Sequence, residues 1–534
     1  MLRRLLAVAL ASCAVLCLGA ASASAALPTA KWVTIPSADG VRLKAIVFMP
    51  GNLKPGDKPP GIAFAAAWNG GAEQNSVPSY QLARKGYVVV SYTTRGTGID
   101  TDKRGFVEMG GPKDIMDMSA IIDWMVTQRG ADPDRIGAAG ISYGAGIALM
   151  ASGVDKRIKS VVSMSGWTDL GRALFPNETR NSWPGFILWA SAKQASNESP
   201  EFNEVFNQFF QFRKSAETLA FARGRSAISY LDRINANRPA IMMAQNWNEL
   251  AFPPDQFLDF YEDLQVPRRL YLRPGDHVGQ ETMGLLGQWS PVFSRMYRWF
   301  DQTVRDPSQR ESLGQQIEIQ PRAPYGDRRE ETYTNWSEAT TGTKRWHLGA
   351  VMNKKGDGGL ADAPQTGWST TIKPGLNVVN HVGGPIVSHL TEVWWGRPVW
   401  SEPKYIDRKT SATWFSGPMT DWVRMRGSAK VHVTVTPTHA KGFLNLVLWS
   451  VGNNNSGRHI THAPITWRNK TPGKPFTLDL ELRPNAYNIP PGHRLLLAAS
   501  TFEPNYYLER NPPGSTLTFS SPAADPSWID LPTR

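Results

Sequence analysis

One stretch in the first third of the chain constrains the fold more than any other. The turn residues Asp132-Pro133-Asp134 precede a short apolar run at 135–139, and a run of small residues begins soon after it. Between the two runs stands Gly140-Ile141-Ser142-Tyr143-Gly144, which has the pattern G-x-S-x-G. In such a strand, turn and helix the serine hydroxyl is exposed on a strained backbone, and the glycines leave room for the neighbouring elements. The pattern predicts that Ser142 is a nucleophile on a sharp strand-to-helix turn.

Only one histidine before residue 347 can serve as the base for Ser142. His277 is the first of the nine histidines of the chain, and His347 is the next. It also follows an apolar run and the turn Arg273-Pro274-Gly275, the position of a side chain at a strand end. A serine nucleophile needs a general base to take its proton. We therefore predict serine-dependent acyl transfer with His277 as the base.

Several acidic residues are candidates for the acid that would act beside Ser142 and His277. The chain order serine, acid, histidine is typical of α/β-hydrolases. Glu249 follows a predicted buried strand, and we predict that its carboxylate holds His277 in the correct tautomer. Asp255 is the alternative acid, and Asp169, after an earlier strand, is a third candidate. Asp276 is adjacent to His277 in sequence, and its side chain is not expected to reach the ring.

The oxyanion of the tetrahedral intermediate needs two hydrogen-bond donors. The backbone N–H of Tyr143, the residue after the predicted nucleophile, is the expected first donor. The glycine-containing loop at 67–71 follows an earlier strand and is the expected source of the second donor. We predict that this donor is the backbone N–H of Trp68, with Asn69 as the alternative.

The chain begins with the features of a secretory signal peptide. Two arginines precede an apolar run that reaches about Ala20, and Ala23-Ser24-Ala25 has the A-x-A pattern of a cleavage site. The run is too short to favour a retained membrane span. We predict that residues 1–25 are removed and that the protein is secreted or periplasmic. Lipoprotein processing at Cys13 is the alternative.

Composition argues against several classes of protein. Both cysteines, Cys13 and Cys17, lie in the predicted signal peptide, so the mature chain has no disulfide, thiol nucleophile or cysteine metal site. With a single histidine in the predicted catalytic region, no metal site and no cofactor is expected. The net charge is +12, but the basic residues are dispersed, so nucleic acid is not an expected partner.

The pattern of apolar residues changes along the chain. In the first part, apolar runs alternate with helical patterns, which predicts a mostly parallel sheet covered by helices. An aromatic, helix-like stretch interrupts this rhythm and predicts a cap over the site. Later, Val431, Val433 and Val435 alternate with polar residues, as in a β-sandwich or jelly roll. The predicted organisation is an α/β-hydrolase domain at 26–340 with a helical cap at about 167–237, followed by an all-β jelly-roll domain at 341–534.

Several segments of the sequence together match the motifs of one protein family. They are Arg95-Gly96-Thr97-Gly98, Asp114 and Trp124, Gly140-Ile141-Ser142-Tyr143-Gly144, Asn246-Trp247-Asn248-Glu249, Trp414-Phe415-Ser416-Gly417-Pro418-Met419 and Pro491-Gly492-His493-Arg494-Leu495. The chain resembles the Xaa-Pro dipeptidyl-peptidase and cocaine-esterase family of serine hydrolases. The resemblance implies an α/β-hydrolase domain, a helical cap and a C-terminal jelly roll. The family's acid is usually Asp where this chain has Glu249, and members that use a Tyr hydroxyl as oxyanion donor differ from this chain at Trp68.

The predicted function is that of an exported serine hydrolase that cleaves small peptides or esters through an acyl-enzyme. A dipeptidyl peptidase must bind its substrate's free amine, and the candidate carboxylates in the cap are Glu178, Glu198, Glu201 and Glu204. A solvated helical face is the alternative that we favour for these four residues. A carboxylesterase or an α-amino-acid ester hydrolase is the alternative. A carbohydrate-binding surface protein is an alternative of another class. It would use Trp394, Trp395, Trp400, Trp414 and Trp422, which we expect instead to be buried against the hydrolase domain.

Overall fold

The structure is a computed structural model in which residues 26–98, 105–212, 216–326, 328–377, 379–383, 392–393 and 396–534 are described. The predicted signal peptide, with Cys13 and Cys17, lies outside the described residues, as do Trp394 and Trp395. In the described part of the chain, no helix is long and apolar enough to cross a membrane.

A ten-stranded sheet in the order β1-β2-β4-β3-β5-β6-β7-β8-β9-β10 organises the first part of the chain. Its strands are β1 (Thr29–Pro36), β2 (Arg42–Met49), β3 (Gly61–Ala65), β4 (Val88–Tyr92), β5 (Ile136–Ile141), β6 (Ile158–Met164), β7 (Ala240–Asn246), β8 (Arg268–Arg273), β9 (Gln315–Ile319) and β10 (Glu331–Tyr333). The strands from β4 to β9 in this order are parallel, whereas β1, β2 and β10 are antiparallel to their neighbours. The parallel strands β3, β5 and β7 are buried throughout, because helices cover both faces of the sheet.

The helices fall into two groups. Those that cover the sheet are α1 (Ser76–Arg84), α2 (Pro112–Arg129), α3 (Tyr143–Ser152), α9 (Asp255–Asp263), α10 (Gly279–Leu285) and α11 (Pro291–Phe300). Those between β6 and β7 are α4 (Leu170–Leu174), α5 (Ser182–Ala195), α6 (Pro200–Phe210), α7 (Ala216–Arg223) and α8 (Leu231–Asn237). In α2 the residues that recur at steps of three and four, such as Ile115, Met118 and Ile122, are buried, as the periodicity predicts.

From Gly342 onward the described regular structure is a second sheet of fourteen strands. They are β11 (Gly342–Val351), β12 (Asp357–Ala361), β13 (Ser369–Ile372), β14 (Trp400–Ser401), β15 (Ser411–Pro418), β16 (Val423–Gly427), β17 (Lys430–Pro437), β18 (Gly442–Val451), β19 (Gly457–Trp467), β20 (Phe476–Glu481), β21 (Asn485–Ile489), β22 (Arg494–Ser500), β23 (Leu517–Ser520) and β24 (Trp528–Thr533). The alternating runs of β17 and β20 pair with each other, with Val431 opposite Leu480 and Val433 opposite Leu478. These apolar side chains share one buried core, which confirms the predicted fold class of an α/β-hydrolase unit followed by an all-β domain.

Buried ion pairs join the α/β unit and its cap to the β domain. Arg322, which is fully buried, donates to the Glu392 carboxylate at 2.6 Å and to the carbonyl of Ile460 at 2.6 Å. Arg180 of the cap donates to Glu509 of the β domain at 2.7 Å. A buried charge is tolerated only with such partners, so these contacts specify how the two parts pack.

Two of the described tryptophans of the β domain, Trp400 and Trp414, do not pack as the sequence predicted, whereas Trp422 packs edge-on against Tyr325 of the α/β unit with centroids 6.3 Å apart. Trp414 lies in the core of the β domain, with its ring 6.1 Å from that of Trp368, rather than against the α/β unit. Trp400 and Trp422 are 54% and 39% exposed. The expectation failed because alternation along a strand indicates two faces without indicating which partner covers each face.

Candidate active site

Ser142 stands in a strained backbone turn between β5 and α3. Its φ of 54° and ψ of −112° lie where residues other than glycine are rare. A Cβ on Gly140 would lie 2.0 Å from the backbone of Gly144, and a Cβ on Gly144 would lie 2.4 Å from the carbonyl oxygen of Ala65. The two glycines of the G-x-S-x-G pattern are therefore required by the close approach of β5, α3 and β3.

Ser142, His277 and Glu249 form a continuous hydrogen-bonded chain. The Oγ of Ser142 lies 2.9 Å from Nε2 of His277, and Nδ1 of His277 lies 3.1 and 3.0 Å from the two carboxylate oxygens of Glu249. An ionised carboxylate only accepts hydrogen bonds, so Nδ1 carries the proton and Nε2 presents its lone pair to the serine hydroxyl. The structure thus brings together the three residues that the sequence singled out.

Burial and charge act in opposite directions on His277. Burial lowers the pKa of the imidazole, but the Coulombic attraction and hydrogen bond of Glu249, together with Asp276, outweigh it and leave the pKa above its ordinary value. Burial raises the pKa of the Glu249 carboxyl, against the opposing effect of His277. The protonated imidazole is therefore stabilised where a proton from Ser142 would arrive.

The turn after β7 holds the acid in place. Oε1 of Glu249, which is fully buried, accepts hydrogen bonds from the backbone N–H groups of Ala251 at 2.9 Å and Phe252 at 3.2 Å. The ring of Phe252 packs edge-on against the imidazole of His277, with centroids 5.4 Å apart. Arg483 of the β domain donates to the carbonyl of Glu249 at 3.3 Å. The second domain thus helps to fix the position of the acid.

The other acidic candidates have different partners. Asp255, at the start of α9, forms an ion pair with Arg172 at 2.8 Å. Asp169 caps α4 by accepting the N–H of Arg172 at 3.0 Å. Asp276 accepts the N–H of Leu250 at 2.9 Å, which ties the histidine loop to the acid loop.

The loop with Trp68 and Asn69 lies beside Ser142 and is held by the cap. The indole Nε1 of Trp68 donates to Ser191 of α5 at 3.1 Å, and Asn69 accepts from the hydroxyl of Ser196 at 2.6 Å. Within the described residues, neither the backbone N–H of Trp68 nor that of Tyr143 has an acceptor.

A largely apolar cavity of about 310 Å³ opens at Ser142 and His277. Its apolar walls are formed by Trp68, Leu174, Pro184, Ile187, Leu188 and Phe252 among others. Among the residues the structure describes, its lining contains no acidic or basic side chain apart from His277. Such a cavity favours an uncharged, apolar group next to the serine.

The four cap glutamates that the sequence offered as amine ligands do not line this cavity. Glu198 forms an ion pair with Lys193, and Glu201 lies 3.5 Å from Arg225. Glu204 accepts from Gln208 at 3.0 Å, and Glu178 is an exposed residue in a left-handed backbone conformation with φ of 61°.

Two buried carboxyls near the site received no role from the sequence, although Asp114 was among the residues that carry the family resemblance. Asp114 of α2 accepts the hydroxyl of Tyr143 at 2.6 Å, and burial raises its pKa to about 7. Glu281 of α10 accepts the hydroxyl of Ser165 at 2.8 Å, and burial also raises its pKa to about 7. The position of Ser165 directly after β6 was the available signal, because parallel strands end at one edge of the sheet.

No group of three or more histidine, cysteine, aspartate or glutamate side chains in the described ranges is arranged to hold a metal ion. The site as described consists of protein groups suited to acyl transfer.

Two family models match consecutive parts of the chain. The model described as X-Pro dipeptidyl-peptidase (S15 family) matches residues 39–279, which include Ser142, Glu249 and His277. The model described as X-Pro dipeptidyl-peptidase C-terminal non-catalytic domain matches residues 296–527. A curated relative, the uncharacterized protein YcjY of Escherichia coli (strain K12), is 30% identical over 241 residues, which are 43% of this chain and 65% of that protein. The chain spans 35% to 65% of the length of the curated relatives it matches.

Solved structures with the same fold cover nearly the whole chain. An α-amino acid ester hydrolase superposes with a TM-score of 0.74 and 16% identity, covering 97% of this chain and 98% of that one. An aminopeptidase from the marine sediment archaeon Thaumarchaeota archaeon superposes with a TM-score of 0.68 and 14% identity, covering 98% and 99%. At these identities the likeness establishes the fold.

Proposed function

Because the chain belongs to the X-Pro dipeptidyl-peptidase (S15) family of serine hydrolases, we propose that Ser142, His277 and Glu249 are its catalytic triad. We further propose that its substrates are esters of uncharged, apolar acids. The observation that carries this choice of substrate is the apolar cavity at Ser142, whose described lining offers no carboxylate to a substrate amine.

In the proposed reaction, the Ser142 hydroxyl attacks the ester carbonyl carbon while Nε2 of His277 takes its proton. The imidazolium then gives that proton to the departing alcohol oxygen, and the acyl group remains on Ser142 as an ester. Water, deprotonated by His277, attacks the acyl-enzyme and releases the acid. Glu249 stays ionised throughout and stabilises the imidazolium, which agrees with the raised pKa of His277.

The oxyanion of each tetrahedral intermediate would be stabilised by two backbone N–H groups, those of Tyr143 and Trp68. Both lack an acceptor within the described residues, so binding the oxyanion would not require breaking an existing hydrogen bond. Donors that are already in position stabilise the transition state without a cost of reorganisation.

We propose an ester of an uncharged acid rather than a substrate with a free amine because of the positive charge on that amine. A dipeptidyl peptidase or an α-amino-acid ester hydrolase handles a substrate with a free amine, and an unpaired ammonium would lose its hydration in this apolar cavity. The four cap glutamates lie elsewhere or have other partners. An aliphatic or aromatic acyl group, by contrast, gains free energy as it leaves water.

We propose that the protein is exported after cleavage near Ala25, with a catalytic domain at 26–340, a cap at about 167–237 and a β domain at 341–534. Edman sequencing or mass spectrometry of the protein recovered outside the cytoplasm should give Ala26 as the first residue. A lipid-modified N-terminus at Cys13 would contradict this processing and establish the lipoprotein alternative.

The direct test compares two leaving-group reporters. Mature protein should release p-nitrophenol from p-nitrophenyl butyrate and should leave Ala-Pro-p-nitroanilide intact, with Ser142→Ala inactive towards both. Rapid Ser142-dependent cleavage of the anilide would establish a dipeptidyl peptidase instead. Inactivity towards both substrates would contradict the proposed function.

A further inference from the structure

A second large cavity lies far along the chain from the serine, where the chain leaves the α/β unit and meets the β domain. Its volume is about 620 Å³. Its lining includes Tyr325, Arg328, Arg397, Arg458 and residues of the turn at 452–456. None of these residues belongs to the proposed active site.

Arg328, Arg397 and Arg458 give the described lining of the cavity a positive charge. Arg328 donates to the carbonyl of Gly396 at 2.6 Å, and Arg458 donates to the carbonyl of Pro398 at 3.2 Å. Gly396 and Pro398 flank Arg397 in the chain, so Arg328 and Arg458 both bind the backbone of the segment that carries Arg397. Among the described residues, no acidic side chain lines the cavity, and Arg397 is exposed and has no side-chain partner. Guanidinium groups in this arrangement favour a carboxylate, which they bind in a planar fork.

An exposed aromatic ring stands beside this charge. Tyr325 is 52% exposed, and its ring is held edge-on between His493 at 5.7 Å and Trp422 at 6.3 Å. A Cβ on Gly326 would lie 2.8 Å from the ring of Trp422, so the glycine is what permits this packing. A fixed, partly exposed tyrosine offers a flat surface for the apolar face of a ligand.

Amide groups complete the lining. The turn at 452–456 is closed by hydrogen bonds from Gly452 N–H to the Ser456 carbonyl at 3.0 Å and from Ser456 N–H to Oδ1 of Asn454 at 3.0 Å. This turn presents the exposed side chain of Asn453 at the cavity. Amides donate to and accept from hydroxyl groups.

We propose that this cavity binds a carboxylate-bearing sugar, such as the uronic acid unit of an acidic polysaccharide. The arginines bind the carboxylate, Tyr325 packs on the face of the sugar ring, and Asn453 contacts its hydroxyl groups. The cavity would thereby hold the hydrolase on an acidic carbohydrate independently of its catalytic reaction.

The test is isothermal titration calorimetry with the full mature chain carrying Ser142→Ala, so that no ligand is turned over. The probes are trigalacturonic acid, galacturonic acid, the fully methyl-esterified trimer and inorganic phosphate. We expect the acidic trimer to bind more tightly than the methyl ester and than phosphate, with affinity falling as salt concentration rises. Equal affinity for the monomer and the trimer would also support the proposal, because the cavity is proposed to bind a single uronic acid unit.

The variants separate this site from general charge effects. Arg397→Gln should weaken binding of the trimer about tenfold, and Tyr325→Ala about fivefold. Arg42→Gln, which removes the same charge from an exposed position on β2, should leave affinity unchanged. When the same substitutions are made in protein that retains Ser142, the rate of p-nitrophenyl butyrate hydrolysis should be unchanged, because none of these residues touches the proposed active site.

Three results would overturn the proposal. They are absence of trimer binding at millimolar concentration, equal binding of phosphate or of the methyl ester, and equal loss of affinity in Arg397→Gln and Arg42→Gln. Because the measurement does not use turnover, its failure leaves the proposed ester hydrolysis untouched.

Discussion

The hydroxyl of Tyr143 donates a 2.6 Å hydrogen bond to Oδ2 of Asp114 in the interior of the α/β unit. The N–H of Gly110 donates to both, at 2.9 Å to the carboxylate and 3.0 Å to the hydroxyl. Tyr143 follows Ser142 directly, so this cluster fixes the first turn of α3 and, in our proposal, the orientation of an oxyanion donor. Burial raises the pKa of Asp114 to about 7, against the effect of the Tyr143 hydrogen bond.

Removing either partner of this hydrogen bond should lower kcat more than it raises KM. We expect Tyr143→Phe and Asp114→Asn each to reduce kcat roughly five- to tenfold, because the N–H of residue 143 loses its fixed position. The double variant should lose little more than either single one, since both changes break the same interaction. Steady-state kinetics on p-nitrophenyl butyrate provide the measurement, and additive losses would contradict the coupling.

The pH dependence of kcat/KM should report the protonation of His277. The base must be neutral to accept a proton, so kcat/KM should rise with pH and reach half its maximum above the ordinary histidine pKa of about 6.5. Glu249→Gln removes the attraction that raises this pKa and leaves the burial that lowers it. The midpoint should therefore move to lower pH, while the maximum rate falls roughly a thousandfold. A midpoint that stays or rises in Glu249→Gln would contradict the role of Glu249.

The length of the acyl group should depend on Leu188. This residue and Leu174 line both the cavity at Ser142 and a neighbouring apolar space bordered by Phe206 and Leu219. Leu188→Ala should open the wall between the two and raise the ratio of octanoate to butyrate ester hydrolysis roughly tenfold, which corresponds to between one and two additional buried methylenes at about fourfold each. Leu219→Ala, which borders only the neighbouring space, is the matched control. A similar shift in both variants would show that Leu188 is not the barrier.

The second glycine of the G-x-S-x-G pattern should be intolerant of any side chain. Gly144→Ala would place Cβ 2.4 Å from the carbonyl oxygen of Ala65, whereas a Cβ on the exposed Gly417 meets nothing within 4 Å. We expect Gly144→Ala to lower the apparent melting temperature by several degrees and to abolish ester hydrolysis, and Gly417→Ala to leave both unchanged. Thermal unfolding of the two variants in parallel is the measurement. Full activity in Gly144→Ala would show that the turn can relax.

The sequence predicted the group of Ser142, Glu249 and His277 because chain order and the positions of strand ends limit which residues can meet. Ser142 and Glu249 follow strands of one parallel sheet, and His277 was the one histidine in its part of the chain. Their catalytic roles remain predictions, but the three side chains are in hydrogen-bond contact. The contact between Tyr143 and Asp114 was not foreseen, because it depends on how α2 packs beside α3.

The parts that the sequence did not predict depend on tertiary packing. The sequence left the four cap glutamates open between amine ligands and a solvated helical face, with the solvated face favoured, and the packing of the cap keeps all four out of the lining of the cavity at Ser142. The exposure of Trp400 and Trp422 likewise depends on which faces of the β domain are covered. A local sequence pattern indicates the periodicity of a helix or strand, whereas these outcomes depend on contacts between segments that are distant in the sequence.

The central claim is that Ser142 is the activated nucleophile, and peptide mass spectrometry after covalent labelling tests it most directly. The mature protein is treated with an alkyl fluorophosphonate, which reacts with activated serine hydroxyls, and is then digested and sequenced by mass. We predict one stoichiometric adduct on the peptide that contains Ser142, its absence from Ser142→Ala, and strongly slowed labelling of His277→Ala. An adduct of equal yield on Ser142→Ala, or labelling unaffected by the loss of His277, would contradict the proposed triad.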